Sequence, residues 1–166
     1  DTVKSVVYAN VTVPTAGVSY TYDPDYNRLT SMTDETGTTL YSYRPVTTPP
    51  APGANQLASI DGPLPDDTIT YDYDELSRRV TMAINGVATR VTYDAAGRVV
   101  NETNALGAFS YAYDGPSGRI LTDLFPNGLV VERGYDNTLH DRALQRITHR
   151  VGAIPVSEFI YRWDIQ

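Results

Sequence analysis

One short phrase, seen best in residues 91–99, recurs along the chain and constrains its fold more than any other feature. Asp94 suits the first position of a type I turn, because its carboxylate can accept a backbone N–H two residues further on. Gly97 suits the fourth position of the same turn. Tyr93 and Val99, on either side, are typical strand residues. The phrase therefore predicts a strand, a tight turn and the start of a second strand.

This phrase returns every 20 to 30 residues. Its aromatic residue, usually followed by Asp, is called the anchor here and stands at Tyr22, Tyr43, Tyr73, Tyr93, Tyr113, Tyr135 and Trp163. In several copies an Arg follows the anchor and opens the next hydrophobic stretch: Arg28, Arg78, Arg98, Arg119 and Arg146. A second turn glycine follows at Gly37, Gly86, Gly107 and Gly128. Each copy, called a hairpin unit below, thus holds two strands and two turns, the spacing of an antiparallel meander.

The strand before each anchor alternates with a period of two. One face carries large residues such as Val18, Tyr20 and Tyr22, and the opposite face carries smaller or polar ones such as Ser19 and Thr21. The same alternation precedes all seven anchors and predicts strands with one buried face. Aromatic side chains of neighbouring units are then expected to form a cross-strand ladder that packs as core.

Asn-Gly pairs mark the sharpest turns outside the anchors. Asn85-Gly86 and Asn127-Gly128 each predict a two-residue hairpin turn. Ala16-Gly17 and Leu106-Gly107 are weaker signals of the same kind.

Two segments interrupt the period. Residues 45–67 contain six prolines, which remove donors from a strand ladder, so most of this segment is expected to run outside the sheet as an insertion. Residues 57–62 within it still resemble a strand that follows an anchor. Residues 136–145 form an extended anchor turn in which a short helical turn is an open alternative. Neither segment is interpreted as a domain boundary, and a single domain is predicted over residues 1–166.

Composition narrows the functional classes. The chain has 166 residues, 13 Tyr, no Cys and a net charge of −7. An acidic chain without a Lys/Arg cluster is an unlikely partner for nucleic acid or for anionic membranes. No apolar run is long enough to insert into a membrane, and no signal peptide is visible. Because the chain starts at Asp1 rather than Met, we expect a processed product or an excised segment.

Candidate chemical sites are few, and each has a structural interpretation. Asp23 and Asp34 superficially resemble the ends of a calcium loop, but Arg28 stands where an EF-hand needs Gly. His140 and His149 lack a nucleophile motif or a metal-ligand spacing. Asp–Arg pairs such as Asp23–Arg28, Asp94–Arg98 and Asp114–Arg119 bracket the anchor turns, where they are expected to form clamps with Arg stacked on a Tyr ring. We therefore predict no catalytic, cofactor-binding or metal-binding residue, no cofactor, and no enzyme.

The motif Tyr-Asp-x-x-Gly-Arg-hydrophobic, with the next Tyr-x-Tyr-Asp about twenty residues on, resembles the YD repeats of the rearrangement-hotspot (Rhs) family. Relatives in that family include insecticidal toxin-complex C-type components, bacterial wall-associated proteins and teneurins. The resemblance implies a segment of a long strip of β-hairpins that winds into a hollow shell, often around a toxic C-terminal domain. The chain departs from the family pattern because it is too short for a closed shell and lacks the autoproteolytic Asp-Pro-x-Gly-type segment. Single positions also differ, with Arg44 for Asp, Asn27 and Ser77 for Gly, and Trp163 for Tyr.

We therefore predict an all-β fold of about a dozen strands, built from consecutive antiparallel β-hairpins. They are expected to form a curved, twisted sheet, a slice of a spiral or barrel-like shell. The predicted function is a structural scaffold segment of a bacterial Rhs/YD-repeat protein, part of an encapsulating shell and toxin-associated. The alternative is a cell-surface adhesion or carbohydrate-binding module. Expected partners are adjoining repeats of the same parent chain, with toxin cargo, a surface glycan or an edge-strand homo-oligomer as candidates. The resemblance implies a secreted or cell-surface location.

Overall fold

The computed structural model describes residues 1–136 and 141–163, and in these residues the regular structure consists of strands. Fourteen strands follow one another along the chain: β1 (Ser5–Val6), β2 (Val18–Tyr22), β3 (Leu29–Asp34), β4 (Gly37–Tyr43), β5 (Leu57–Asp61), β6 (Ile69–Tyr73), β7 (Arg79–Ile84), β8 (Val87–Tyr93), β9 (Val99–Asn104), β10 (Gly107–Tyr113), β11 (Ile120–Leu124), β12 (Leu129–Tyr135), β13 (Leu144–Val151) and β14 (Ile154–Ile160).

The chain divides into two compact units, Asp1–Ala88 and Thr89–Gln166. In the first unit β1 to β7 are neighbours in sequence order, and every pair is antiparallel. The second unit contains most of β8 and the strands β9 to β14. These strands are also neighbours in sequence order, and every pair is antiparallel. The prediction of an all-β chain of consecutive antiparallel hairpins is confirmed. The single domain over residues 1–166 stays a prediction.

The anchors occupy equivalent places in successive hairpin units. Six strands end at an anchor tyrosine, as predicted: β2, β4, β6, β8, β10 and β12. In each case the strand register shifts by one residue at the anchor, for example between Thr92 and Tyr93 and between Ala112 and Tyr113. The extra residue lies on the strand after the turn, for example Val100 of β9, and such a β-bulge bends that strand. The same irregularity therefore recurs opposite each of these six anchor tyrosines.

The period-two pattern is visible in the exposure of the strands. Side chains of β2, β4 and β6 alternate strictly between half-buried and exposed positions. The tyrosine face is half-buried rather than buried, however, and in the described residues the buried hydrophobic side chains are Ala83 and Val131. The expected ladder is therefore present as a half-buried face in each compact unit, because a single sheet layer covers its apolar face with its own side chains only.

The second turns match the sequence in part. Asn85 and Gly86 connect β7 and β8 with φ of 50° and 79°, the type I′ geometry that was predicted. The two-residue turn predicted at Asn127-Gly128 is wrong. A four-residue connection follows β11 instead, in which Gly128 N–H donates to the Phe125 carbonyl at 3.0 Å and Pro126 takes the second turn position that type I turns favour.

The two weaker turn signals also fall differently. Ala16-Gly17 is not a hairpin turn, because residues 7–17 form a long connection between β1 and β2. At the other site the turn residues are Ala105 and Leu106, and Gly107 already pairs with Asn104 as the first residue of β10.

The two interruptions lie where the sequence places them. Residues 44–56 and 62–68 contain no strand, while β5 forms the predicted strand inside the Pro-rich insertion. Strand β13 begins at Leu144, after the extended anchor turn. Residues 137–140 of that turn, including His140 and the helical turn considered there, lie outside the described residues. In the described part of the chain, no helix has the length and hydrophobicity that a membrane span requires.

Candidate functional site: repeated aspartate–arginine–tyrosine clamps

The anchor turn of residues 94–98 is closed by one carboxylate. Asp94 Oδ1 accepts the backbone N–H groups of Ala96 and Arg98, each at 2.9 Å, and Oδ2 accepts from Arg98 Nε at 2.7 Å. Gly97 N–H donates to the Asp94 carbonyl at 3.0 Å, and Gly97 has a φ of 80°, where glycine is favoured. The predicted type I turn is thereby confirmed. The backbone N–H and then the side chain of Arg98 hold the pKa of Asp94 below its usual range.

The arginine of this turn reaches into the next hairpin unit. Arg98 lies with its guanidinium carbon 4.4 Å from the ring centroid of Tyr113. Its Nη1 also donates to the backbone carbonyls of Gly115, at 2.8 Å, and of Ser117. One side chain thus joins its own turn to the ring and the turn of the following unit.

The next anchor completes the link from its side. The Tyr113 hydroxyl donates to the carbonyl of Val99, the residue directly after Arg98, at 2.7 Å. Asp94, Arg98 and Tyr113 therefore form one connected group that ties two consecutive units together. We call such a group, an Asp and Arg of one anchor turn with the anchor of the next unit, a clamp.

The same arrangement is present around Asp23. Its carboxylate accepts from Arg28 and from the backbone N–H of Asp25, and Arg28 lies 4.4 Å from the ring centroid of Tyr43. The Tyr43 hydroxyl donates to Leu29 O at 2.9 Å. The hydrogen bond from Arg28 is the main reason why the pKa of Asp23 is lowered, and burial raises the pKa of Tyr43, which keeps it a donor. Asp23, the first residue of the calcium-like pattern, and Arg28, which breaks that pattern, thus both serve the turn.

A looser clamp joins the turn after Tyr113 to the next anchor, Tyr135. Asp114 lies 3.7 Å from Arg119 Nε, and the guanidinium of Arg119 is 5.8 Å from the Tyr135 ring. The Tyr135 hydroxyl donates to Ile120 O at 2.9 Å. This turn contains one residue more than the turn at Asp94, and Arg142 also reaches Asp114 at 3.1 Å. The three predicted Asp–Arg pairs are therefore all observed, and in all three Arg lies over a tyrosine ring.

One clamp is built from different residues. Arg44 stands in the Asp position, and its side chain turns to Asp72 and to the Tyr71 carbonyl. Gln56 stands in the Arg position and donates to Ser77 O in the next anchor turn at 2.8 Å. The Tyr73 hydroxyl still donates to the residue after it, Leu57 O, at 2.8 Å. The glycine substitutes Asn27 and Ser77 keep left-handed backbones, with φ of 55° and 62°.

The turn after the anchor Tyr135 corrects one sequence assignment. Asp136 N–H donates to Ala143 O at 2.8 Å, the bond that Asp94 N–H makes to Arg98 O. Ala143 therefore holds the Arg position of this turn, and the assignment of Arg146 to it is wrong because the turn is shorter than the sequence pattern suggests. Trp163 Nε1 donates to the carbonyl of Leu144, the residue after Ala143, at 2.9 Å. The anchor tyrosine hydroxyls make the equivalent bond to the residue after the Arg position of their own clamps.

His149, the histidine within the described residues, makes one polar contact and one ring contact. His149 lies in β13, with Nδ1 3.1 Å from Ser157 Oγ of β14 and its ring edge-on to Phe159 at 5.9 Å. The Ser157 contact was not predicted, because strand pairing between β13 and β14 has a bulge that shifts the register. Within residues 1–136 and 141–163, no group of three or more His, Asp or Glu is placed to hold a metal ion.

Comparison with known proteins finds likeness at the level of structure. No protein-family model and no curated protein sequence matches the chain. Among solved structures, a chain of the TcdB2-TccC3-TEV crystal structure aligns with a TM-score of 0.64 at 15% identity, over 89% of this chain and 8% of that one. A chain of the Photorhabdus luminescens Tc holotoxin pore aligns with a TM-score of 0.50 at 14% identity, over 90% of this chain and 10% of that one.

These matches define a class of fold. The chain has the β-hairpin fold found in part of Tc toxin chains, and it spans about a tenth of the length of those chains. At this level of identity the likeness concerns the fold alone.

Proposed function

We propose that the chain is a structural wall segment of a bacterial YD-repeat protein of the Rhs type, that this wall encloses toxic cargo, and that the segment itself is not an enzyme. The repeated clamp supports this proposal most directly. Each clamp joins one hairpin unit to the next, so copying the unit extends a continuous wall. The fold shared with Tc toxin chains supports the association with toxins.

The chemistry of the clamps also favours a mechanical role. Asp94 and Arg98 form hydrogen bonds within the turn, and Arg98 also donates to the next hairpin unit. A substrate would have to displace these internal partners, whereas catalytic groups are normally left able to reach a reacting atom. Under this proposal the partners are further repeats of the same chain and an enclosed toxin, and the location is secreted or at the cell surface.

The test uses the complete reading frame that encodes the chain. We expect further hairpin units on either side and an unrelated C-terminal domain. In the full-length protein, that domain should resist trypsin under native conditions and become sensitive when clamp variants such as Arg98→Ala open the wall. Tyr111→Phe, on the same strand as Tyr113, serves as the control. A reading frame without further units, or a cargo domain cut equally fast in all variants, would contradict encapsulation.

One observation favours a second function, the binding of carbohydrate. In the compact unit Asp1–Ala88, every second strand carries a half-exposed tyrosine at the equivalent position: Tyr20 of β2, Tyr41 of β4 and Tyr71 of β6. Tyrosine rings at such spacing, about 10 Å for two strand separations, offer a platform on which sugar rings can stack. A glycan array distinguishes the two functions, because reproducible binding that Tyr41→Ala abolishes would support adhesion, and absence of binding would support the wall.

A further inference from the structure

Two Asn-Gly pairs stand on hairpin turns, and both are open to solvent. Asn85-Gly86 connects β7 and β8, and Asn127-Gly128 lies in the turn between β11 and β12. All four residues are exposed. Glycine leaves its own backbone nitrogen sterically open, so this nitrogen can approach the carboxamide carbon of the asparagine before it. Dipeptide and access to water are therefore the same at both pairs, and the hydrogen bonds of each turn decide which pair reacts.

The Asn85 carboxamide is held by another segment of the chain. Its Oδ1 accepts the N–H of Thr68 at 3.1 Å, and its Nδ2 donates to the Asp66 carbonyl. Both bonds must break before the carboxamide can turn toward Gly86. A hydrogen bond of ordinary strength slows such a rearrangement about fivefold, so two of them slow it about 25-fold. Asn85 is thus protected by its neighbours.

The Asn127 carboxamide is turned toward its own glycine. Its Oδ1 accepts the N–H of Leu129, two residues ahead, at 3.0 Å, and its Nδ2 has no hydrogen-bond partner among the described residues. A bond to the residue two ahead folds the carboxamide over the peptide nitrogen between them, which is that of Gly128. The Leu129 N–H also stabilises the negative charge that gathers on Oδ1 when the carboxamide carbon is attacked. One contact opposes the attack, because Gly128 N–H must leave the Phe125 carbonyl, 3.0 Å away.

We propose that Asn127 is a modification site at which the chain converts its own carboxamide into a carboxylate, with water as the co-reactant. The Gly128 nitrogen forms a bond to Asn127 Cγ, the bond from Cγ to Nδ2 breaks, and the proton of the Gly128 N–H leaves with the released ammonia. Water then opens the cyclic imide at either of its carbonyl carbons. Opening at one carbon gives aspartate, and opening at the other gives isoaspartate, in which the backbone runs through Cγ.

The product changes the surface around this turn. Asn127 lines a shallow apolar cleft with Leu106, Phe109, Phe125 and Pro126, and the two phenylalanine rings meet edge-on with centroids 5.8 Å apart. Conversion places a carboxylate at the rim of this cleft. Isoaspartate also lengthens the backbone of the turn by one methylene, which disturbs the bond from Gly128 N–H to Phe125 O.

The test follows both pairs in the folded chain at neutral pH. Trypsin places them on separate peptides, residues 80–90 and 120–133. Mass spectrometry measures the mass gained when water replaces ammonia, and methylation by an isoaspartyl carboxyl methyltransferase identifies isoaspartate. We expect the peptide with Asn127 to convert at least about tenfold faster than the peptide with Asn85. In urea that unfolds the chain, the hydrogen bonds of both turns are lost, and the two peptides should convert at equal rates.

Asn127→Asp is the matched control. This variant has no ammonia to release at the turn, so the mass gain of peptide 120–133 should disappear while peptide 80–90 converts as before. Equal rates in the folded chain, or faster conversion at Asn85, would overturn the proposal. So would a tenfold difference that persists in urea, because the sequence rather than the turn would then set the rates. An Asn127 that stays intact in the folded chain while the unfolded chain converts would also overturn it. None of these results depends on the proposed wall function.

Discussion

The hydrogen bond from the Tyr113 hydroxyl to Val99 O offers the sharpest test of the clamp. At 2.7 Å the bond has the usual length of an O–H···O hydrogen bond, and it is partly buried. Replacing Tyr113 by Phe keeps the ring under Arg98 and leaves the Val99 carbonyl without this donor. A net contribution of about 1 kcal/mol is typical for such a bond, so we expect Tyr113→Phe to lower the free energy of unfolding by about that amount. For a chain of this size, the melting temperature should fall by about 2–4 °C.

Removing the ring as well separates stacking from hydrogen bonding. The guanidinium carbon of Arg98 lies 4.4 Å from the Tyr113 centroid, and its side chain is 23% exposed. A partly desolvated cation–π contact contributes about 1 kcal/mol, so Tyr113→Leu should cost about 2–3 kcal/mol in total. In a double-mutant cycle with Arg98→Ala, the two residues should show a coupling energy of about 0.5–1.5 kcal/mol.

The assay is urea unfolding at pH 7, followed by far-UV circular dichroism and by tyrosine fluorescence, which tests whether the transition is two-state. Tyr111→Phe is the matched control. Tyr111 lies two residues earlier on the same face of β10, and its hydroxyl makes no hydrogen bond to any residue in the described ranges. If Tyr113→Phe and Tyr111→Phe change stability equally, or if Arg98 and Tyr113 do not couple, the clamp does not join the units as argued.

Two further predictions concern the turns. A Cβ on Gly107 would come within 2.5 Å of Pro126 Cβ, and Gly107 has a φ of 125°. Gly107→Ala should therefore destabilise by about 2–4 kcal/mol in urea unfolding, from strain and overpacking together, whereas Gly128→Ala, with a φ of 80° and no atom within 4 Å of its Cβ, should cost only about 1 kcal/mol. The pKa of Asp94 is lowered in the folded chain, so its ionised form adds stability above the unfolded pKa of about 3.9, and this stability is lost as the pH falls through the folded value. Asp94→Asn should accordingly be less stable than the wild type at pH 7, and the difference should shrink as the pH falls below about 3.9; a difference that stays constant or grows as the pH is lowered would contradict this reasoning.

Local turn chemistry explains why the hairpins could be predicted from sequence. Asp94 and Gly97 satisfy the turn within four residues, and Asn85-Gly86 fixes its own type I′ geometry. These signals depend on neighbours in the chain and survive without knowledge of the tertiary structure. Asn127-Gly128 failed because the preceding Pro126 favours a longer turn, a competing local preference that the dipeptide alone does not reveal.

The links between units were harder to predict. Stacking of Arg on a tyrosine ring was expected, but the donation from each tyrosine hydroxyl to a carbonyl one unit away was not. That bond joins residues of different hairpin units, and the strand register at each anchor is shifted by a β-bulge that no spacing in the sequence shows. The assignment of Arg146 failed for a related reason, since only the backbone bond from Asp136 to Ala143 shows where that turn ends. A partial signal was present in the sequence, because a hydrophobic residue follows the Arg position at most of these bulges, Arg79 after Arg78 being the exception.

The imperfect units show which part of the clamp carries the connection. Where Arg44 and Gln56 replace the Asp and the Arg, the ion pair within the turn is gone, yet Tyr73 keeps its hydrogen bond to Leu57 O. Where Ala143 replaces the Arg, Trp163 keeps the equivalent bond with its indole N–H. The charged pair is thus exchanged within this one chain while the aromatic donor to the neighbouring carbonyl is retained. The aromatic donor is therefore the constant part of the link between hairpin units, and the wall function proposed above requires such a link at every unit.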